Sequence, residues 1–209
     1  MKSTVSPTFS ATGVVQAGLN ILVVLLLALL AISSYQHFRI SHSIASFGIL
    51  FVNSLFLGLF ITRPKAKSET PSLPLWLLAT TAVALPMLLR PSVTAEHWSP
   101  GYAIQVAGLV MLVGSVLSLR RSFALVPGNR GVRDGGFYRI VRHPIYLSEL
   151  TVLLGVVVAN PTTANIIIWV CECGLQLVRA LAEEDFLSAD PRYRAYRERV
   201  RYRLIPGLL

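Results

Sequence analysis

Long apolar runs alternate with short polar interruptions along the whole chain. A helix needs roughly 20 apolar residues to cross bilayer hydrocarbon. Val14–Ser34 meets that requirement. Ile44–Ile61 is the second run, with Asn53 and Ser54 as its strongly polar points, and Leu73–Leu89 is the third. Pro86 interrupts the third run as a kink that a membrane helix tolerates. Tyr102–Leu119 is the fourth, and the polar stretch Arg120–His143 follows it. Pro144–Ala159 and Pro161–Leu181 complete the set. Between these two, Asn160-Pro161 reads as an N-cap and a first helical residue, which predicts a tight helical hairpin. The pattern predicts an all-α polytopic integral membrane protein with about six (five to six) transmembrane helices. It divides into N-terminal spans over 1–119 and a second region over 120–209, made of a loop, the hairpin and a basic tail.

Composition agrees with the pattern. The 209 residues are 54% hydrophobic and 14% charged, with a mean hydropathy of +0.61, which a soluble domain rarely shows. The net charge of +9 does not point to nucleic acid, because its sources are clustered. Six arginines lie between Arg120 and Arg142 and six between Arg192 and Arg203. With six crossings and a cytoplasmic N-terminus, 16 of the 19 Lys and Arg fall on the cytoplasmic side. Only Arg39 and Arg90 fall on the other side, and Arg179 lies inside a helix. That is the positive-inside distribution, and it predicts a cytoplasmic C-terminus beside anionic membrane lipid. The first apolar run lacks a small-residue cleavage site, so it reads as a span rather than a removed signal peptide.

The polar residues of the last two apolar segments fall in register. Glu172, Gln176, Arg179 and Glu183 recur at four, three and four, and Arg142, Tyr146 and Glu149 at four and three. Each set shares a helix face. Ionisable groups inside spans are costly, and they line cavities or pair with each other. The hairpin returns its chain to the same membrane side, so Glu183 and Glu184 are expected near His143, around a cytoplasmic pocket. Pairing of Arg179 with a glutamate merely to hold the hairpin is the simpler alternative. The glycines of "PGNRGVRDGG" permit sharp turns, but no Gly-Lys-Ser/Thr follows and no strand precedes. Cys171 and Cys173, two residues apart, point different ways on a helix and do not suggest a shared metal. In the tail, Tyr193, Tyr196 and Val200 recur at three and four among arginines, which predicts an interfacial amphipathic helix over Arg192–Arg203.

"GGFYRIVRHPIYLSEL", a hydrophobic hairpin, "RALAEEDF" and "YRAYRERVRYRLIPGL" together resemble the isoprenylcysteine carboxyl methyltransferase family and its relatives, the phospholipid N-methyltransferases. The resemblance covers roughly residues 120–209. It departs at Phe137, where the family often has Pro, and at Ser148, where it often has Gly. It implies S-adenosylmethionine as methyl donor and a lipophilic or prenylated acceptor reaching the site from the bilayer. It points to His143, Tyr146, Arg179, Glu183 and Glu184 at the matching positions, with Tyr138 and Arg142 beside them. Methyl transfer is an in-line displacement, so positioning is the enzyme's main task. Glu183 or Glu184 is expected to hold the donor's ammonium or hydroxyls. His143 or a nearby arginine is expected to meet its carboxylate. Arg179, with Glu183, is the expected catalytic group toward the acceptor. Two other classes compete: an NADPH-dependent membrane reductase of the sterol-reductase kind, and a small transporter or assembly factor.

Overall fold

In the computed structural model, which describes residues 11–42, 44–63, 68–70, 72–90, 100–119, 126–129 and 131–208, nearly every described residue of the apolar runs is helical. The helices are α1 (Ala11–Ser41), α2 (Ile44–Thr62), α3 (Leu73–Ala84), α4 (Pro100–Leu119), α5 (Pro144–Ala159), α6 (Thr163–Leu187) and α7 (Pro191–Arg199). Two short strands, β1 (Ser68–Glu69) and β2 (Gly128–Asn129), pair antiparallel with Ser68 opposite Asn129. They tie the α2–α3 connection to the loop before α5.

The fold is all-α. Among the described residues, three helices are long and apolar enough to cross a membrane: Ala17–Ser41 within α1, then α4 and α6. The apolar stretches Ser46–Thr62, Leu73–Leu88 and Pro144–Ala159 are shorter. Leu22, Leu25, Leu29 and Ile32 of α1 point outward, as do Ile167, Val170, Val178 and Leu181 of α6. Contiguous outward apolar surface of this kind belongs against lipid or another apolar body.

Three boundaries differ from the sequence reading. The α-helical part of the third run stops at Ala84, and Leu85–Leu88 continues as a 3-10 turn. Pro86 has no N–H to give and its ring crowds the carbonyl four residues back. The restart of the hairpin is made by Thr162, not Asn160. The Thr162 hydroxyl accepts from Asn165 N at 3.2 Å, while Asn160 closes α5 and donates its amide to Arg90 O at 2.9 Å. Finally, α7 ends at Arg199 rather than Arg203. Residues beyond it run beside the start of α5, where Arg142 N donates to Tyr202 O (2.9 Å) and His143 N donates to Arg203 O (3.0 Å).

The tightest partner of α5 is α4, not α6. Their backbones touch through glycine. A β-carbon on Gly108 would lie 2.7 Å from Val152 N, and one on Gly155 would lie 2.6 Å from Gln105 N. Small residues permit such approach in membrane bundles. The α5–α6 hairpin is instead spanned by side chains, which leaves room between its arms.

Candidate active site

Those side chains form a polar ladder between antiparallel arms, because the three-and-four spacing on each helix aims them at one another. At the α5–α6 turn end, Trp169 Nε1 donates to Leu150 O at 3.1 Å. Next, the Gln176 amide donates to Glu149 (2.9 Å) and to Glu172 (3.0 Å). Arg179 donates to the Gln176 oxygen at 3.0 Å, and its guanidinium lies 4.7 Å from the centre of the Tyr146 ring. The Tyr146 hydroxyl donates to Glu183 at 2.9 Å. At the open end His143 stacks on Tyr146, ring centres 5.3 Å apart and 4° from parallel. His143 Nε2 is 3.2 Å from Glu184 and its Nδ1 is 3.7 Å from Glu183. The stripe on α5 therefore begins at His143. Arg142, counted with it from spacing alone, precedes the helix and turns toward the tail.

Arg142 and Glu184 make a clasp. Arg142 Nε donates to Glu184 Oε1 at 2.7 Å, and its Nη2 donates to Oε2 at 3.3 Å. Its Nη1 donates to the carbonyls of Val200 (2.8 Å) and Arg201 (2.6 Å). Arg203 adds a bond to Glu184 at 3.0 Å. The Glu184 side chain is 4% exposed and Glu183 is 27% exposed. The two adjacent glutamates thus differ: Glu184 is saturated by protein, while Glu183 retains an open side.

A layer of tyrosines closes the same end. Tyr138, Tyr193, Tyr196 and Val200 pack as one buried cluster, and Tyr196 donates to Tyr138 O at 2.8 Å. The face of α7 expected to meet the membrane interface is therefore covered by the protein itself. Burial pushes the phenols of Tyr138, Tyr193 and Tyr196 above their usual range, and neighbouring carboxylates add to the shift. The buried Tyr193 hydroxyl has no hydrogen-bond partner among the described residues. Asn129 donates to Asp190 at 2.9 Å and so anchors the loop to the α6–α7 connection. Gly136 adopts φ +57° beside Ser118, where a β-carbon would collide.

Between these parts lies a narrow cleft of about 110 Å³, open at its mouth, against roughly 300–1,000 Å³ for small-molecule sites. Tyr138, Arg142, His143, Tyr146, Arg179 and Glu183 line it, as the sequence reading expected of a pocket, and Glu184 stands behind them. Glu149, Tyr193 and Tyr196 line it too. Its apolar wall comes from Phe56 of α2, Val83 of α3, Leu119 of α4 and Ile145 of α5. The sequence reading left those four unassigned, since only the packing of distant helices brings them there. Among known proteins, no family model, no curated protein and no solved structure matches this chain.

Proposed function

We propose that this chain is an integral-membrane methyltransferase that uses S-adenosylmethionine and delivers the methyl group to a lipophilic acceptor. One observation carries the reading: a single cleft is lined both by charged and aromatic side chains and by apolar side chains from four helices. That arrangement suits a charged, water-soluble reactant meeting a membrane-soluble one. The resemblance of residues 120–209 to isoprenylcysteine carboxyl methyltransferases supports the same reaction class.

The residues present fit the donor. Glu183 offers a carboxylate with an open side for an ammonium or for ribose hydroxyls. The buried Tyr193 hydroxyl lines the cleft and lacks a partner among the described residues, so it has a proton to donate to a bound polar group. His143, stacked on Tyr146 between two carboxylates, is fixed in place. Glu184 holds the loop and the tail around the ligand from behind, through Arg142 at the cleft wall. When bound, the donor supplies a methyl group on an electrophilic sulfonium. The protein's task is then to align the acceptor and exclude water.

In this reading the chain crosses the membrane six times, with the His143 end, the N-terminus and the tail in the cytoplasm, in keeping with the Lys/Arg distribution. α5, with 16 residues, spans about 24 Å at 1.5 Å per residue. Its polar end therefore lies within the interface of one leaflet. The purified chain in detergent is expected to bind S-adenosylhomocysteine and not NADPH. Binding of NADPH alone would replace this reading with a sterol-type reductase, and binding of neither would end it. A phospholipid amine is the nearest alternative acceptor.

A further inference from the structure

Two carboxyl groups lie deeper than any group assigned to the donor. Glu149 stands six residues beyond His143, about 9 Å along α5 at 1.5 Å per residue, and it lines the cleft. Glu172 of α6 is fully buried. One amide joins them: Gln176 uses both of its N–H bonds on these carboxyls. Its oxygen accepts from Arg179, which fixes the direction in which the amide points. The second oxygen of Glu172 is buried with no hydrogen-bond partner. Glu149 is faced by Arg179 and Glu172 from α6, by Tyr146 from its own helix and by Tyr138 from the loop. Among the described residues, Arg179 interacts electrostatically with Glu149, Glu172 and Glu183 at once. Carboxyls at this depth are expensive and mark function.

We propose that Glu149 takes the proton of the lipid being methylated, with Glu172 as the second carboxyl of the pair. The acceptor is then a lipid bearing an N–H or O–H group rather than a carboxylate. This rests on the methyltransferase reading above. A nitrogen or oxygen lone pair of the acceptor forms the bond to the methyl carbon. The carbon–sulfur bond breaks, and its electron pair stays on sulfur. The acceptor's proton passes to the Glu149 carboxylate. A cation and an anion are consumed, and two neutral groups replace them. Away from bulk water, losing a separated charge pair is favourable. An incoming carboxylate would instead have to share Arg179 with Glu149, Glu172 and Glu183.

The test uses the full chain in phosphatidylcholine nanodiscs, as wild type, Glu149→Gln and Glu149→Asp. Three lipid probes are compared: phosphatidylethanolamine, a dodecyl phenol and farnesylthioacetic acid. Calorimetry reads S-adenosylhomocysteine binding. Mass spectrometry reads labelling of Glu149 by dicyclohexylcarbodiimide, and labelled donor reads methyl transfer. All three chains are expected to bind S-adenosylhomocysteine equally tightly. The amine or the phenol, but not the carboxylate, is expected to protect Glu149 and to accept the methyl group. Glu149→Gln is expected to lower transfer about 100-fold or more, the scale of general base catalysis, and Glu149→Asp to recover part of it. Transfer to the carboxylate lipid, or full transfer by Glu149→Gln, overturns the proposal. So does loss of S-adenosylhomocysteine binding by Glu149→Gln alone, or protection and transfer by none of the probes while the wild type binds S-adenosylhomocysteine. If the wild type binds no S-adenosylhomocysteine, the methyltransferase reading falls first and takes this inference with it.

Discussion

The Tyr146 hydroxyl on α5 donates to the Glu183 carboxylate on α6 at 2.9 Å, while the same ring carries Arg179 on one side and stacks with His143. One phenol therefore joins both arms of the hairpin at the level where the cleft opens.

Tyr146→Phe separates these roles. It removes the bond to Glu183 and keeps the ring. S-Adenosylhomocysteine affinity is expected to fall about tenfold, and the lost hydrogen bond to a charged group to lower stability by about 1.5–3 kcal/mol. Tyr146→Ala should lose both. Equal affinity for Tyr146→Phe and the wild type would remove Tyr146 and Glu183 from the donor site.

The two neighbouring glutamates should respond differently. Glu184→Gln leaves Arg142 buried without its carboxylate, and breaking a buried pair from one side costs about 3–5 kcal/mol. A large fall in melting temperature is expected. Glu183→Gln should leave the melting temperature close to wild type and weaken donor binding. Reversal of that order, measured by thermal unfolding in detergent, would contradict the clasp.

The α4–α5 contact makes a steric prediction. Gly108→Leu and Gly155→Val would drive side chains into facing backbone, and overpacking of this kind costs about 1–3 kcal/mol or more. Both variants are expected to yield less folded protein in size-exclusion chromatography. Gly174 has open space where a β-carbon would go. Gly174→Ala should therefore be neutral, or stabilising by up to about 1 kcal/mol from helix propensity.

Alkaline titration tests the tyrosine layer. The folded phenols of Tyr138, Tyr193 and Tyr196 ionise above their usual range, whereas an unfolded tyrosine ionises near about pH 10. The folded state therefore holds its protons longer. The stability this layer contributes is fully present below pH 10 and is lost as pH rises further. Absorbance at 295 nm should show these three ionising only as the chain unfolds, with Tyr→Phe variants assigning the steps. Early, reversible ionisation of all tyrosines would show the layer to be open.

The apolar segments and the convergence of His143, Tyr146, Arg179 and Glu183 were legible in the sequence. Hydrophobic length marks helices, and three-and-four spacing marks faces. The tail was also expected near Glu183, where it could cover the pocket, but the partner of its tyrosine stripe was not legible. Tyr193 and Tyr196 have the spacing of a membrane-facing stripe, and nothing local tells a lipid partner from a protein one. The difference between Glu183 and Glu184 was equally hidden. It depends on Arg142 and Arg203, which reach Glu184 from distant segments. The contact of α4 with α5 had a faint signal in Gly101, Gly108 and Gly155. It becomes decisive only when the two helices are brought side by side.

The bonds from Arg142 and His143 to the backbone of residues 200–203 also set an order of assembly. During synthesis, α5 and α6 are made before residues 200–203. Until then Arg142 lacks its carbonyl partners, Glu184 lacks Arg203, and the tyrosine layer has nothing to close on. The clasp of Arg142 and Glu184 therefore closes only once residues 200–203 have joined it.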